Sequence, residues 1–429
     1  MKGGRFMSQS VHGTTKAREK VLVVVVEIRQ KVIPWSAEDI RREMEELVFA
    51  SGGEFVDSIV CRIDKPTASS LIGQGKVEEI ANFCMNNPID TVIFSQDLKG
   101  SQQRNLEEVI KKKTIDRTQL ILDIFAKRAT SPEGKMQVEL AQLEYLLPRL
   151  VGQGIELSRL GGGIGTSGPG ETKLEVDRRR IAVRIALLRS GLKEVATDAA
   201  LKRKKRKDQG VPLVSLVGYT NAGKSTLLNT LTDAHQVTKD GLFTTLDSLS
   251  RQLTLSNHQK IVLSDTVGFM HELPHHLIAA FRATLEEVQE ADLLLHVLDV
   301  SHPQFRQYYD SVIDVLKELR AFDKPTIYVL NKIDKLEDVH WLKNFQENFD
   351  HCVSISAKTG KNIDGLLTKI SELLSPGFVE INVEVPIARM DLVHLAHKEG
   401  EVLSIKYYND RINIRASVPI SLVGKFNVS

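Results

Sequence analysis

Gly218, Tyr219, Thr220, Asn221, Ala222, Gly223, Lys224 and Ser225 stand in the order G-x-x-x-x-G-K-S, directly after the apolar run Leu213–Val217. A strand, a glycine loop and a helix in that order aim backbone N–H groups at one point, because glycine has no Cβ to hold an anion away. The helix predicted over Thr226–Leu231 adds the positive end of its dipole. Lys224 can reach the outer oxygens of a polyphosphate, and the Ser225 hydroxyl can ligate Mg²⁺. These eight residues are expected to cradle the phosphates of a nucleotide.

Four further segments name the base and the γ-phosphate. Asn331, Lys332, Ile333 and Asp334 follow the predicted strand Thr326–Leu330. A carboxylate there can accept from guanine N1–H and its exocyclic amine, a pair of donors adenine does not offer. Ser356, Ala357 and Lys358 follow the short apolar run Cys352–Ile355, placed to meet guanine O6 through backbone N–H groups. Asp265, Thr266, Val267 and Gly268 follow the predicted strand Lys260–Leu263. Asp265 can hold Mg²⁺ through water, and the Gly268 N–H can bind the γ-phosphate. Between this segment and the phosphate loop lie Phe243, Thr244, Thr245, Leu246 and Asp247. A threonine there can put its hydroxyl on Mg²⁺ and sense the γ-phosphate; residue type alone does not separate Thr244 from Thr245. In this order and at these spacings the motifs predict GTP as substrate, GDP as product and Mg²⁺ as cofactor.

The elements that must position these residues form one of several units in a chain of 429 residues, too long for one ordinary core. Residues 1–19 read as a disordered polar tail. Residues 20–128 alternate strand and helix: strands at Val21–Ile28, Phe55–Ile63, Thr91–Ser95 and Gln119–Phe125, helices from Ser36 to about Ala50, Lys76–Met85 and Gln102–Lys112. Ser36 and Asp39 have the spacing of a capping box, and Gly52-Gly53 should close that helix. In residues 129–200, Met136, Leu140, Leu143, Leu147 and Leu150 form a heptad-like stripe, matched by Leu174, Ile181, Ile185, Leu188 and Leu192. The glycine-rich stretch Leu160–Gly170 between the stripes makes a helical hairpin with an extended tip, and Pro148 should end or kink its first helix. Residues 201–210 read as a basic linker, 211–376 as the nucleotide unit and 377–429 as a small α+β unit. The fold class expected is multidomain α/β, with a mostly parallel sheet in the nucleotide unit.

Charge and composition limit the setting. Hydrophobic residues make up 42% and charged ones 26%, as in a soluble globular protein. No run approaches the ~20 apolar residues of a membrane helix. Cys61, Cys84 and Cys352 lie far apart, which argues against disulfides and zinc. A reducing cytoplasm, with room for peripheral membrane attachment, is the expected compartment, and a monomer the expected state. The net charge is only +2, yet Arg128–Gly210 holds 17 Lys and Arg against 10 Asp and Glu. The excess lies at Arg178, Arg179, Arg180, Arg184, Arg189 and Lys202–Lys207, a stripe suited to RNA phosphates, with a solvated charged helix as the plain alternative.

The whole set resembles the translation-factor class of GTPases. Leu71–Glu78, the hairpin with its glycine-rich tip, Glu171–Arg180 and Phe243–Asp247 narrow the resemblance to HflX-type GTPases over about residues 20–375. On that family's pattern Ser225 and Thr245 are the magnesium ligands, and Lys224, Thr245 and Gly268 carry the catalytic electrostatics. The resemblance also implies binding to the large ribosomal subunit and its rRNA, and splitting of stalled ribosomes, with no DNA partner. An assembly checkpoint on the large subunit and a GTP-regulated scaffold remain open as alternatives.

Two positions depart from the commonest GTPase pattern. Phe269 stands where many members carry a water-orienting glutamine, so unaided hydrolysis should be slow. Asn221 is a candidate contact for K⁺. Leu71–Val77 lacks the spacing of a second phosphate loop. His271, His275 and His276 read as a solvated segment, and Trp35, Tyr145, Tyr407 and Tyr408 as packing or surface residues.

Overall fold

The computed structural model describes residues 18–29, 35–150, 169–232, 242–243, 249–257, 259–271, 282–338, 340–347, 349–374 and 378–426. Thr244, Thr245, Leu246, Asp247, His275, His276, the tail up to residue 17 and most of the glycine-rich tip lie outside them.

The first sheet grows from a β-branched run. β1 (Lys20–Ile28) buries every side chain from Val21 to Val26, because helices cover both of its faces. Around it the strands β2 (Glu54–Ile63), β3 (Thr91–Phe94) and β4 (Lys113–Asp116) stand in the order β2-β1-β3-β4, all parallel. The helix α1 (Ala37–Ser51) opens on the Ser36–Asp39 capping box and closes at Gly52, whose φ of +85° only glycine adopts freely. The helices α2 (Gln74–Asn86) and α3 (Gly100–Ile110) complete the crossovers.

Gln119–Phe125 corrects the sequence reading: it lies in the helix α4 (Arg117–Arg128), and the strand precedes it at Lys113–Asp116. Asp116 caps this helix by accepting from the Gln119 N–H at 2.8 Å. Leu120, Ile121, Leu122, Ile124 and Phe125 are all buried, so apolar residues fall on several faces and their period does not distinguish helix from strand.

The hairpin pairs α5 (Pro132–Leu146) with α6 (Pro169–Asp208). Pro148 falls in a single 3₁₀ turn at Leu147–Leu150, where the first helix ends. Leu140, Ile185 and Leu188 are buried at the seam, with Met136, Leu143, Leu147, Ile181 and Leu192 packed against them. Leu140→Ala removes a branched side chain that only this narrow seam holds in place. It should cost about 2–3 kcal/mol, read as a lower Tm in thermal denaturation. The basic linker expected at 201–210 is a second correction, since α6 runs unbroken through Lys202–Lys207 to Asp208. Its foot is tied to the next unit by the ion pairs Arg203–Glu286 (3.1 Å) and Lys207–Glu290 (2.7 Å). Arg184 and Arg189 pair with Glu139 and Glu144 across the hairpin, so part of the basic excess is matched within the molecule.

The nucleotide unit runs through β5 (Leu213–Gly218), α7 (Lys224–Thr232), β6 (Leu249–Thr254), β7 (Lys260–Asp265), α8 (Arg282–Gln289), β8 (Leu293–Asp299), α9 (Phe305–Glu318), β9 (Thr326–Asn331), α10 (His340–Gln346), β10 (Cys352–Ser354) and α11 (Ile363–Leu374). The strand order is β10-β9-β8-β5-β7-β6, parallel except for β6 against β7. β5 is central, and the motif loops leave the carboxyl ends of β5, β7 and β9, where a doubly wound sheet opens a crevice. The chain closes with an antiparallel sheet of β11 (Phe378–Pro386), β13 (Arg411–Pro419) and β12 (Glu401–Tyr407), in that order, covered by the helices α12 (Met390–Glu399) and α13 (Ile420–Phe426). The sequence reading had no counterpart to α13.

Candidate nucleotide site

The phosphate loop takes its shape from two glycines and a lysine. Gly218 has φ +153°, and a Cβ there would meet the Val297 carbonyl oxygen at 2.4 Å. Gly223 has φ +96°, and its Cβ would meet the Asn331 side chain at 2.3 Å. Both positions exclude any larger residue. Lys224 is 6% exposed and donates to the carbonyls of Gly218 (3.0 Å) and Tyr219 (2.9 Å), so its ammonium is held inside the loop. Burial pulls its pKa down to about 8, although the nearby Asp265 carboxylate pushes the other way.

The base-recognition segments converge on the same loop. Asn331, 2% exposed, donates to the Ala222 carbonyl and accepts from the Ala357 N–H, both at 2.9 Å. One side chain thus joins the phosphate loop to both base motifs. Lys332 donates to the Asn221 carbonyl at 2.8 Å and pairs with Asp299 at 2.7 Å. Asp334 is exposed and accepts from the Ser356 hydroxyl at 2.6 Å, a bond that draws its carboxyl below the usual range. The carboxylate is therefore held ionised, with one oxygen fixed by the serine. Ala357 is buried and Lys358 exposed, while Ile333 packs in a small core with Leu298 and Leu330.

Ser225 donates its hydroxyl to Asp265 at 2.6 Å. Two hard oxygen donors at the end of β7 and the start of α7 suit Mg²⁺, which takes few protein ligands and completes its shell with phosphate and water. Among the described residues no group of three His, Cys, Asp or Glu could hold a metal by itself. When bound, the ion would neutralise charge on the β- and γ-phosphates. Thr266 donates its hydroxyl to the Leu216 carbonyl at 2.7 Å and the Val267 side chain is buried in the core, so both side chains anchor the segment. Gly268 lies against the loop, where a Cβ would meet Thr220 at 2.7 Å and the Lys224 ammonium at 3.1 Å.

The side chains of Phe243, Tyr219 and Phe269 are all buried in one core. The Phe243 ring, 2% exposed, packs edge-on against Phe125 of α4 at 4.7 Å, away from the phosphate cradle. Tyr219 contributes its backbone to the loop, but its ring stacks on Tyr308 at 3.8 Å. Phe269 is 1% exposed, and its backbone is bonded to the loop. His271 is not simply solvated: its ring stacks on Trp35 at 4.4 Å. The sequence reading missed Glu43 and Arg117, a buried ion pair at 2.9 Å beside the loop. Two charged residues 74 positions apart carry no local signal of their pairing.

A phosphate loop at the end of a central parallel strand, bridged by one asparagine to a carboxylate for guanine, defines a P-loop GTP-binding protein. Family models match all three main parts: a GTP-binding GTPase N-terminal region over residues 38–126, a GTP-binding GTPase middle region over 128–206, and a 50S ribosome-binding GTPase over 213–332. The chain is 44% identical over 402 residues to the GTPase HflX of Caldanaerobacter subterraneus subsp. tengcongensis, covering 94% of this chain and 92% of the relative. It is 44% identical over 346 residues to the GTPase HflX of Escherichia coli, covering 80% and 81%. The chain belongs to the HflX family of GTPases, and it is an enzyme that hydrolyses GTP to GDP and phosphate. Among solved structures it is similar to a GTP-binding protein of Sulfolobus solfataricus in complex with GDP, at 25% identity and a TM-score of 0.42, over 83% of this chain and 99% of that one. No described helix is long and apolar enough to cross a membrane.

Proposed function

We propose that this GTPase works on the large ribosomal subunit in the cytoplasm, as a monomer, and that its GTP-bound form separates stalled or idle ribosomes into subunits. The observation that carries this reading is the 40-residue helix α6, whose foot is pinned by Arg203 to Glu286 of α8 and by Lys207 to Glu290 just past it. A rigid rod anchored to the nucleotide unit, at the amino end of β5 and across the sheet from the motif loops, can carry movements of that unit to a distant tip. Exposed Arg178 and Arg179 on that rod suit rRNA phosphates, which position a protein without reading sequence. The match to a 50S ribosome-binding GTPase model supports the same partner.

In this reading Lys224, Thr245 and Gly268 stabilise charge on the transferring phosphoryl group, and Ser225 and Thr245 hold Mg²⁺. Residues Gly218–Ser225, Phe243–Asp247, Asp265–Gly268, Asn331–Asp334 and Ser356–Lys358 bind the nucleotide. K⁺ at Asn221 belongs to the same reading. Phe269, buried and bonded through its backbone, leaves no side chain to orient water, so unaided turnover is slow.

Sucrose-gradient sedimentation with a non-hydrolysable GTP analogue should move intact ribosomes into subunits. Isolated large subunits should raise kcat at least about tenfold, the scale of added transition-state electrostatics. An unchanged gradient and a flat single-turnover rate, in KCl as in NaCl, would remove the proposal. Preference for immature over mature subunits would instead mark an assembly checkpoint.

A further inference from the structure

The second position of a phosphate loop is free in the motif, since only its backbone is needed. Here it is Tyr219, 3% exposed, and its hydroxyl is the centre of a buried network. The hydroxyl donates to the Glu43 carboxylate of α1 and accepts from the His271 N–H at 3.1 Å. Glu43, also 3% exposed, pairs with Arg117 of α4, and Arg117 donates in turn to the His271 carbonyl. The His271 peptide is thus held at both ends, with its ring stacked on Trp35 at an interplanar angle of 15°.

Two residues earlier the same segment is bonded to the loop itself. The Phe269 carbonyl accepts from the Thr220 N–H at 2.8 Å, and the Phe269 N–H donates to the Gly218 carbonyl at 3.1 Å. These bonds bring Gly268 against Thr220 and close to the Lys224 ammonium. A γ-phosphate gripped by both Lys224 and the Gly268 N–H must lie between them, so GTP has to open this contact. GDP ends at the β-phosphate and does not.

We infer that Glu43 and Arg117, through Tyr219 and His271, are positioning residues that set the preference of the site for GDP over GTP. The proposal rests on the nucleotide-binding role given above to Gly218–Ser225. Each bond that holds His271 must be stretched or broken when the segment lifts, and buried charge-assisted bonds are the costly ones to break. The first unit therefore biases the nucleotide state without touching the nucleotide. Such a bias is a difference between two affinities, and a purely structural role would move both together.

The test uses the full chain and calorimetric Kd values for GDP and for a non-hydrolysable GTP analogue, with Mg²⁺ present. The double variant Glu43→Leu/Arg117→Met replaces a buried ion pair by apolar groups of similar size, a change folds commonly tolerate. It should tighten the GTP analogue at least about fivefold relative to GDP, the scale of one net hydrogen bond, while the GDP Kd stays within about twofold. Tyr219→Phe, which keeps the ring and removes the hydroxyl, should shift the ratio in the same direction. A ratio that stays constant in both variants, or a parallel loss of both affinities with a lowered Tm, overturns the inference. Failure of the unaltered chain to bind either nucleotide would overturn the nucleotide-site reading itself.

Discussion

Lys224→Ala should reduce single-turnover GTP hydrolysis by at least about a hundredfold, because the ammonium is the one flexible cation inside the phosphate loop and its loss removes charge stabilisation at the transferring group. The fold should survive, since among the described residues the ammonium bonds two loop carbonyls, which water can reach once it is gone. A pH series on the unaltered chain examines the same group. Its folded pKa of about 8 lies below the ordinary value of 10.5. Bound phosphates favour the charged form, so nucleotide affinity should be flat below pH 8 and fall up to about tenfold per unit above it. Stability of the nucleotide-free chain runs the other way. Below pH 8 both folded and unfolded states hold the proton and the buried charge carries its full cost. Between pH 8 and 10.5 the unfolded chain binds more protons, and this group's contribution to stability rises with pH. Affinity that stays level from pH 7 to 9.5 would show that the ammonium does not bear on the phosphates.

Asp334→Asn should lower GTP affinity about a hundredfold and raise affinity for the xanthine analogue. The carboxylate offers only acceptors, matched to the N1–H and exocyclic amine of guanine. Asparagine can turn one oxygen toward one donor, but its amide group then faces the other. Two donors facing each other make no bond, and each lost hydrogen bond to the base costs about 0.5–1.5 kcal/mol, up to about 3 where the acceptor was charged. Xanthine presents an oxygen in place of the amine, which accepts from the new amide. The Ser356 hydroxyl that now bonds Asp334 at 2.6 Å can serve the asparagine oxygen equally, so the side chain should keep its position. Competition binding of fluorescent GDP against GDP and XDP reads the result directly. Equal losses for both bases would mean that Asp334 supports the loop and does not choose the base.

The nucleotide motifs were legible because each works through residue types at short, fixed spacing. A glycine at φ +96°, a lysine next to it and a strand before it are local requirements, and the sequence meets them at Gly223, Lys224 and Leu213–Gly218. The capping box at Ser36 and the leucine seam of the hairpin were legible for the same reason: their partners sit three or four residues apart on one helix. Gln119–Phe125 was misread because a nearly continuous apolar run loses the alternation that separates helix from strand. The end of the hairpin was misread at Lys202–Lys207 because like charges in a row look unstructured. Glu286 and Glu290, more than 80 residues away, supply the partners that let the helix run on.

Sequence alone determined the residue types and spacing at Gly218–Ser225 and Asp334 on which the proposed nucleotide site rests, since backbone conformation and hydrogen-bonding capacity are properties of a few adjacent residues. Only the tertiary structure decided what surrounds that site. It placed Tyr219, Phe243 and His271 against α1, α4 and Trp35, and it buried Glu43 with Arg117 beside the loop. Such contacts depend on how separate sheets pack, and packing joins residues that no spacing in the chain relates.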